Sequence, residues 1–329
     1  MLRNPWTHKN IKFFYYLNGV LLEGQRKIGW QSSLEGQLKK LKDVDLETLR
    51  YRLNYYHKSL APFTLSGEAF SIKDLTLPPK NKTYYFDLLA NAVYFPQNYA
   101  LGYQFGDVRE VPTEPLLVKS RPIVEDNENS ILLKFNKIRH YTFVQDTIDY
   151  RKKTPKLIGR ASVKQEHRRQ FFRQYFDHPL CDLGQINAGT THDQWLKPKI
   201  SINEHLRYKF ILCQEGNDVA SNLKWVMSSN SLAVMPRPKF ETWFMEGQLE
   251  PNVHYVAIED DFSDLEERLQ YYLAHENEAQ NIIANANAYF DKFRDKTMEK
   301  LLGLLVLERY FYRSGQLTPV IADLHQTAT

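Results

Sequence analysis

Apolar positions in the first half of the chain follow two kinds of spacing. Over residues 34–57 they return every three or four residues, which predicts a helix. Residues 84–89 and 99–105 form shorter apolar or alternating runs, which predict strands. Segment 111–115 predicts a loop because it holds two prolines, and the apolar run 116–118 predicts a buried strand.

The second half alternates apolar runs with helical patterns. The runs 208–213, 232–235 and 254–258 predict strands. A turn at Gly216 and a helix over 218–228 are predicted between the first two of these strands. Strands that alternate with helices predict a parallel sheet and an α/β fold.

Several boundaries can be predicted from single residues. Ser263 and Glu266 have the spacing of a capping box, which predicts the start of a helix. Longer helices are predicted over 276–294 and 297–313. Charges and a proline interrupt the pattern over 150–155, which predicts a linker there.

Length and composition narrow the class of protein. The chain has 329 residues, which suggests two domains at roughly 150 residues each. Its only two cysteines, Cys181 and Cys213, exclude a disulfide scaffold and a zinc site built on Cys-x-x-Cys pairs. No run approaches the ~20 apolar residues that span a bilayer, and the first residues lack a signal-peptide pattern. We therefore expect a cytoplasmic protein, with a peripheral membrane contact left open.

Positive charge is concentrated in one part of the chain. The whole sequence has a net charge of +4, whereas residues 134–173 hold twelve Lys and Arg against three acids. Two interpretations remain open for this region: a solvated surface without a partner, or a site for an anionic ligand.

Familiar catalytic motifs are absent from the sequence. It has no GxxxxGK[ST] phosphate loop, no GxGxxG fingerprint and no GxSxG nucleophile elbow. The tract 190–193 (Thr-Thr-His-Asp) holds residue types of a catalytic triad, but sequence neighbours rarely converge as a triad does. The acids at 259–261 favour a helix start over a cation site.

The segment 208–225 is the most informative, because it reads as a strand, a turn and a helix. In open α/β sheets, ligands bind where the carboxyl end of a strand meets the next helix, and helix N-termini favour phosphate. The alternative is that Asn217 or Asp218 only caps a structural helix.

Longer segments resemble glycosyltransferase family 90. They are EGNDVASNLKW at 215–225, SSNSLAVMPRPKFETWFMEG at 228–247, DDFSDLEE at 260–267 and, upstream, FGDVREVPTEPLLVKSRPI at 105–123. The resemblance extends over about residues 84–313 and is closest to the bacterial branch, the lipopolysaccharide-core glycosyltransferases. It implies a GT-B fold, in which two Rossmann-like domains face each other across a cleft. It also implies inverting transfer from a UDP-sugar without a metal or other cofactor.

The resemblance also implies a domain layout. Residues 1–150 would form the acceptor-side domain and residues 151–296 the UDP-sugar-binding domain. Residues 297–329 would carry a C-terminal helix back to the first domain.

Site residues follow from the family's motifs. Asp107 matches the family's general base, an Asp shortly before a Val-Pro pair, which is 111–112 here. The family's donor-side Arg-Gly-Ser loop is matched by Arg160 and Ser162, and a further family Arg by Arg168. A single carboxylate is sufficient as a base because the leaving group is already a phosphate ester.

The rest of the donor site is assigned to the turn after the strand at 208–213 and to one acid beyond it. The residues are Gly216, Val219, Ala220, Ser221, Asn222 and Glu241, the last expected on the ribose hydroxyls. Lys119 and Arg121 are candidates for the cleft. The sequence departs from the family at Ala161, in place of Gly, and at Asn222, in place of an Arg on the diphosphate. The missing charge is expected from the basic region that contains Arg160 and Arg168.

These residues predict an inverting glycosyltransferase that moves a hexose, with glucose as the first choice, from a UDP-sugar to a saccharide hydroxyl. The expected acceptor is a glycan or glycolipid of the lipopolysaccharide core or cell surface. Two alternatives remain: a nucleic-acid-binding protein that uses residues 134–173, and a catalytically inactive glycosyltransferase-like scaffold. No nucleic acid is expected as a partner on the first hypothesis.

Overall fold

Contacts divide the chain into two compact units. The structure is a computed structural model that describes residues 8–65, 69–189 and 192–325. Unit 1 combines Met1–Arg139 with Asp295–Thr329, and unit 2 is His140–Arg294. The sequence prediction puts the corresponding boundaries at 150 and 296.

The helices and strands have the following bounds. The helices are α1 (His8–Lys27), α2 (Leu34–Leu38), α3 (Leu46–Tyr56), α4 (Lys82–Ala92), α5 (Lys137–His140), α6 (Glu166–Tyr175), α7 (Ile202–His205), α8 (Leu223–Met227), α9 (Leu265–Ala274), α10 (Glu276–Asp291) and α11 (Lys296–Arg313). The strands are β1 (Phe70–Ser71), β2 (Ala100–Leu101), β3 (Tyr103–Gln104), β4 (Leu116–Val118), β5 (Ser120–Pro122), β6 (Ser130–Leu132), β7 (Thr154–Ala161), β8 (Cys181–Gln185), β9 (Tyr208–Leu212), β10 (Leu232–Met235), β11 (Phe240–Thr242) and β12 (Val256–Ala257).

Unit 2 is built on a five-stranded sheet with the order β12-β10-β9-β7-β8. Each neighbouring pair is parallel, which confirms the predicted α/β class with a parallel sheet. The chain first adds β8 on one side of β7 and then returns to add β9 on the other side. The order therefore reverses between β7 and β9, and the carboxyl ends of these two strands form the topological switch point where open α/β sheets bind ligands.

The core of unit 2 lies against this sheet. Apolar residues of β7, β9 and β10 are buried together with side chains from α6, α9 and α10. Phe171 of α6 meets Phe262, just before α9, with ring centroids 5.0 Å apart. The strand runs are short and apolar throughout because a parallel sheet covered by helices is buried on both faces.

Unit 1 is organised around α11. Asp295 caps this helix, since its carboxylate accepts the N–H groups of Thr297 and Met298 at 2.8 and 3.1 Å. Twelve of its residues are buried, and it packs on α3 and α4 of the same unit. A separate parallel sheet with the order β3-β4-β6 also lies in unit 1.

Two predictions for the first half are wrong. Residues 84–89 lie in α4, which is buried on nearly every side, so no polar face marks its helical period. The helix predicted over 34–57 is interrupted at Val44. Asp45 is extended there and caps a new helix, because its carboxylate accepts the N–H groups of Glu47 and Thr48.

Other corrections concern unit 2. The stretch 150–155 is not a linker, because Tyr150–Lys152 form a 3-10 turn and Thr154 already pairs with Tyr208. The predicted capping box does not form: the Ser263 hydroxyl donates to Asp261 instead, at 2.7 Å. Of the tract 190–193, the first two residues lie outside the described part of the chain.

Candidate donor and catalytic sites

Arg168, on α6, joins the two loops that leave the switch point. Its Nη1 donates to the carbonyl of Ser162 at 2.9 Å, just after β7. Its Nε and Nη2 donate to the carbonyls of Glu215 and Gln214 at 2.8 and 2.9 Å, just after β9. One guanidinium therefore sets the spacing between the two loops where a ligand is expected.

Gly216 packs against this guanidinium. A Cβ at position 216 would lie 3.4 Å from Nη2 of Arg168, which is an ordinary van der Waals contact. Burial lowers the pKa of Arg168 to about 10, which leaves it charged at neutral pH. An arginine has five N–H donors, and the carbonyls described above use three of them. The remaining N–H groups on Nη1 and Nη2 are suited to an anion.

Arg160 does not share these contacts. Its Nη2 forms an ion pair with Asp182 of β8 at 2.9 Å, and its Nη1 donates to the Asp182 carbonyl at 2.7 Å. Lys197 and Tyr208 also donate to the Asp182 carboxylate. The Nε of Arg160 is buried and has no hydrogen-bond partner among the described residues, and the role of Arg160 as a donor ligand stays a prediction.

A pocket of about 120 Å³ opens at the carboxyl ends of β9 and β10. Its lining includes Val219 and Ala220, which the sequence assigned to the donor site, together with the apolar side chains of Met235, Phe240 and Phe262. Largely apolar walls with a few polar groups are typical of small-molecule sites.

Glu215 is a polar residue that lines this pocket and that the sequence analysis did not assign to the site. Its Oε1 accepts the N–H groups of Lys239 and Phe240 at 3.0 and 3.2 Å, which connects the loop after β9 to the start of β11. Burial raises the pKa of this carboxyl to about 7. The only sequence signal was its place beside Gly216 in the family motif.

Asn222 has a structural contact where the family carries an arginine. Its Nδ2 donates to the carbonyl of Leu212 at 2.8 Å and so holds the turn against the end of β9. The helix that follows, α8, has only five residues instead of the predicted eleven. The expectation that a helix N-terminus contributes to the phosphate site stays a prediction, and a helix of five residues has only a small dipole. Ser221 lies half-buried in the same turn.

Glu241 lies in β11 and is 2% exposed. A buried carboxylate needs hydrogen-bonding partners, and Glu241 has them. Its predicted contact with a ribose stays a prediction.

Asp107 belongs to unit 1 and lines an open depression with Tyr16, Lys82 and Arg139. Lys119 Nζ lies 2.6 Å from its Oδ1, and the Lys119 side chain is 3% exposed whereas that of Asp107 is 34% exposed. The ammonium group of Lys119 therefore holds the carboxylate of Asp107 in one orientation.

The loop around Asp107 is fixed on both sides. Gly106 has φ +113, a conformation that favours glycine. The Val108 N–H donates to Ser120 Oγ, and that hydroxyl lies at the same distance of 3.2 Å from the Val108 carbonyl. The loop therefore presents the carboxylate of Asp107 on a rigid turn.

Of the two candidates for the cleft, Lys119 contacts a predicted site residue, Asp107. Arg121 is fully buried and donates to the carbonyls of Ser130 and Tyr55 at 3.1 and 2.8 Å. These contacts favour a structural role for Arg121.

The basic region 134–173 is divided between the two units, and six of its twelve cations form ion pairs within the protein. The ion pairs are Lys134–Glu299, Lys137–Asp87, Lys153–Asp146, Arg160–Asp182, Arg169–Glu166 and Arg173–Glu166. These six cations are therefore held by acids of the chain. Arg168, whose described partners are carbonyls, differs from them.

The described residues contain neither a metal-binding cluster nor a membrane-spanning helix. Residues 8–65, 69–189 and 192–325 contain no group of three His, Cys, Asp or Glu side chains placed to hold a metal ion. None of the helices in these ranges combines the length and the apolar character needed to cross a bilayer.

A crevice at the switch point of a parallel sheet is where open α/β proteins bind their ligands, and comparison with known proteins identifies the family. A family model described as glycosyl transferase family 90 matches residues 144–303. O-glucosyltransferase LpsA of Dichelobacter nodosus is 41% identical over 262 residues, which cover 79% of this chain and 81% of that protein. Uncharacterized protein 035R of Invertebrate iridescent virus 3 is 29% identical over 100 residues, covering 30% of this chain and 9% of that protein. The chain belongs to glycosyltransferase family 90 and acts on a sugar donor and an acceptor.

Proposed function

We propose that this glycosyltransferase moves glucose from UDP-glucose to a saccharide hydroxyl with inversion at the anomeric carbon. The acceptor is a glycan or glycolipid of the lipopolysaccharide core or another surface glycan. The name of the relative from Dichelobacter nodosus supports the choice of glucose. The observation that carries the donor site is the guanidinium of Arg168 between the loops after β7 and β9.

In this proposal unit 2 binds the donor. The pocket beside Val219 and Ala220 takes the nucleotide, and the remaining N–H groups of Arg168 face the diphosphate. Negative charge grows on the β-phosphate as UDP leaves, and removal of one fixed donor to such a charge costs about 3 kcal/mol. Arg160, Ser162 and Glu241 complete the donor site.

Asp107 acts as the general base. The acceptor hydroxyl attacks the anomeric carbon and its proton passes to the carboxylate of Asp107. The new bond from oxygen to carbon forms while the bond from carbon to the β-phosphate oxygen breaks, and UDP keeps that electron pair. Lys119 orients the carboxylate through its contact at 2.6 Å. Metal-independent catalysis and a cytoplasmic location at the inner membrane are parts of the same proposal.

The test is the release of UDP from UDP-sugars, with and without lipopolysaccharide acceptors, by the wild type and by Asp107→Asn. Loss of a general base typically costs about 10²–10⁴-fold in rate, so we expect turnover by the variant to fall in that range. UDP binding, measured by calorimetry, should remain. Asp126→Asn is the matched control, because Asp126 is exposed and lies outside the proposed sites.

Wild-type turnover by Asp107→Asn would overturn the assignment of the base. UDP binding without turnover of any UDP-sugar by the wild type would favour the inactive scaffold. Loss of turnover with EDTA, and its recovery with a divalent cation, would contradict metal-independent transfer.

A further inference from the structure

Helix α1 packs on α4 through one side only. Gly19 on that side is buried, and a Cβ there would lie 2.5 Å from the ring of Phe86. Tyr15, on the same side, donates to Asp87 at 2.9 Å. Arg26, the last residue but one of the helix, is 6% exposed. These contacts fix which side of α1 faces the unit and which side faces outward.

The outward side of α1 is apolar along its length. At 100° per residue, positions 13, 17, 20, 21, 24 and 28 lie together on the side opposite Gly19. The large side chains there and just beyond are Phe13 (64% exposed), Phe14 (50%), Leu17 (43%), Val20 (60%), Leu21 (59%), Ile28 (79%) and Trp30 (59%). Exposed apolar surface of this extent marks an interaction site.

The exposed charge beside this face is positive. Lys27, at the edge of this side, has a side chain that is 68% exposed, and its Nζ lies 3.6 Å from Glu23 Oε1. Glu23, the acid of the helix, also accepts hydrogen bonds from Arg26 and Tyr85 and is 14% exposed. An outward apolar side with a lysine at its edge is typical of helices that lie in the plane of a membrane surface.

We propose that α1 docks on an anionic lipid bilayer. Its apolar side enters the boundary between headgroups and acyl chains, and Lys27 at its edge meets the lipid phosphates. Trp30 suits the same interfacial layer because its ring is apolar and its N–H is polar. A second copy of this chain is the alternative occupant of the face, and the oligomeric state of the wild type distinguishes the two.

The position of α1 also connects this surface to the chemistry, a step that rests on the proposed function. Tyr16, on the edge of the outward side, lines the same depression as Asp107, Lys82 and Arg139. A lipid-linked, anionic saccharide held in a bilayer under α1 would reach Asp107 past two exposed cations. Membrane docking would then raise the local concentration of the acceptor at the proposed base.

The test is co-sedimentation of the full chain with vesicles of phosphatidylglycerol and phosphatidylcholine. We expect binding to pure phosphatidylcholine vesicles to be weaker by about fivefold, because the ammonium group of Lys27 gains from the anionic surface. The double variant Leu17→Glu/Leu21→Glu should lose about tenfold or more of the binding to anionic vesicles. Leu46→Glu is the matched control, because Leu46 is 51% exposed on α3 of the same unit and should not affect vesicle binding.

UDP binding by the double variant checks that it folds. Failure of the wild type to sediment, or equal sedimentation of the double variant, would overturn the proposal. A wild-type dimer that the double variant converts to a monomer, without vesicle binding, would assign the face to a second copy instead. Vesicle binding that depends on Leu17 and Leu21 supports the proposal even if no UDP-sugar is turned over, an outcome that counts against the proposed function alone.

Discussion

At the scale of single residues, Arg168 combines a charge with a fixed geometry. Its guanidinium reaches carbonyls in two loops at once, whereas a lysine ammonium is a point charge on a flexible stem. Arg168→Lys therefore keeps the charge and loses the bridge. We expect the free energy of unfolding to fall by about 2 kcal/mol and the affinity for UDP to fall by about tenfold or more. Denaturant unfolding and calorimetry with UDP measure the two effects.

The neighbouring Arg169 supplies the control for this change. It is partly exposed and pairs with Glu166 at 2.7 Å, a contact worth at most about 1 kcal/mol. Arg169→Lys should leave UDP affinity unchanged. If Arg168→Lys and Arg169→Lys change the affinity for UDP equally, the carbonyl contacts of Arg168 do not contribute to UDP binding.

Glu215 makes stability depend on pH. Its pKa is raised by burial from 4.5 to about 7 in the folded protein, so between these values the folded state holds a proton that the unfolded state has released. The free energy of unfolding therefore falls as pH rises from about 4.5 to about 7, and the contribution is constant above that range.

Glu215→Gln removes this titration and keeps an oxygen for the N–H groups of Lys239 and Phe240. We expect the variant to gain stability relative to the wild type as pH rises through that window. Unfolding curves at several pH values measure this gain in stability. Glu128→Gln, on an exposed loop, is the control. If the unfolding free energies of the wild type and Glu215→Gln depend on pH in the same way, the raised pKa of Glu215 is contradicted.

Sequence reasoning located the crevice but not the contacts that shape it. Arg168 was found through the family motif, yet its described partners are main-chain carbonyls, which have no signature in side-chain identity. Arg160 followed from the same motif, and its pairing with Asp182 depends on the register of β7 against β8. Spacing along the chain does not encode a register of this kind.

At the scale of elements, the turn between β9 and α8 depends on Asn222. Its amide donates to the Leu212 carbonyl, which is the last residue of β9. Asn222→Ala should cost about 1 kcal/mol of unfolding free energy, the usual value of one hydrogen bond. Asn222→Asp should cost more, because a carboxylate would face that carbonyl and cannot donate to it.

Denaturant unfolding of both variants tests this role. The order of the two losses is the informative result, since both substitutions remove the amide but only Asp adds a charge. Full stability in Asn222→Asp would mean that the amide contact does not hold the turn.

The accuracy of the predicted elements follows from what surrounds each of them. The runs of β9 and β10 were predicted almost to the residue because apolar strands with clear ends are buried in a parallel sheet. Helix α4 was predicted as a strand because its buried surface leaves no polar face, and a short apolar run alone does not distinguish the two. Helix α1 was not predicted, because its exposed side is apolar as well.

At the scale of the whole molecule, the chain returns to its first unit at the end. Helix α11 lies in unit 1 and buries five leucines, Leu301, Leu302, Leu304, Leu305 and Leu307. Each buried leucine contributes about 1.5–3 kcal/mol, so together they match the total stability of a typical domain, about 5–15 kcal/mol. A fragment of residues 1–139 lacks this helix and should not fold alone.

Unit 2 differs because the segment 140–294 is continuous and has its own core. We expect this fragment to unfold in a single cooperative transition and, if the donor site lies within it, to bind UDP. A ligand at a hundred times its dissociation constant stabilises the folded state by about 2.7 kcal/mol, so UDP should raise the melting temperature of the fragment. The Arg168→Lys fragment should show a smaller rise. A folded fragment that UDP does not stabilise, beside a full chain that UDP does stabilise, would mean that residues of unit 1 are needed to hold the donor.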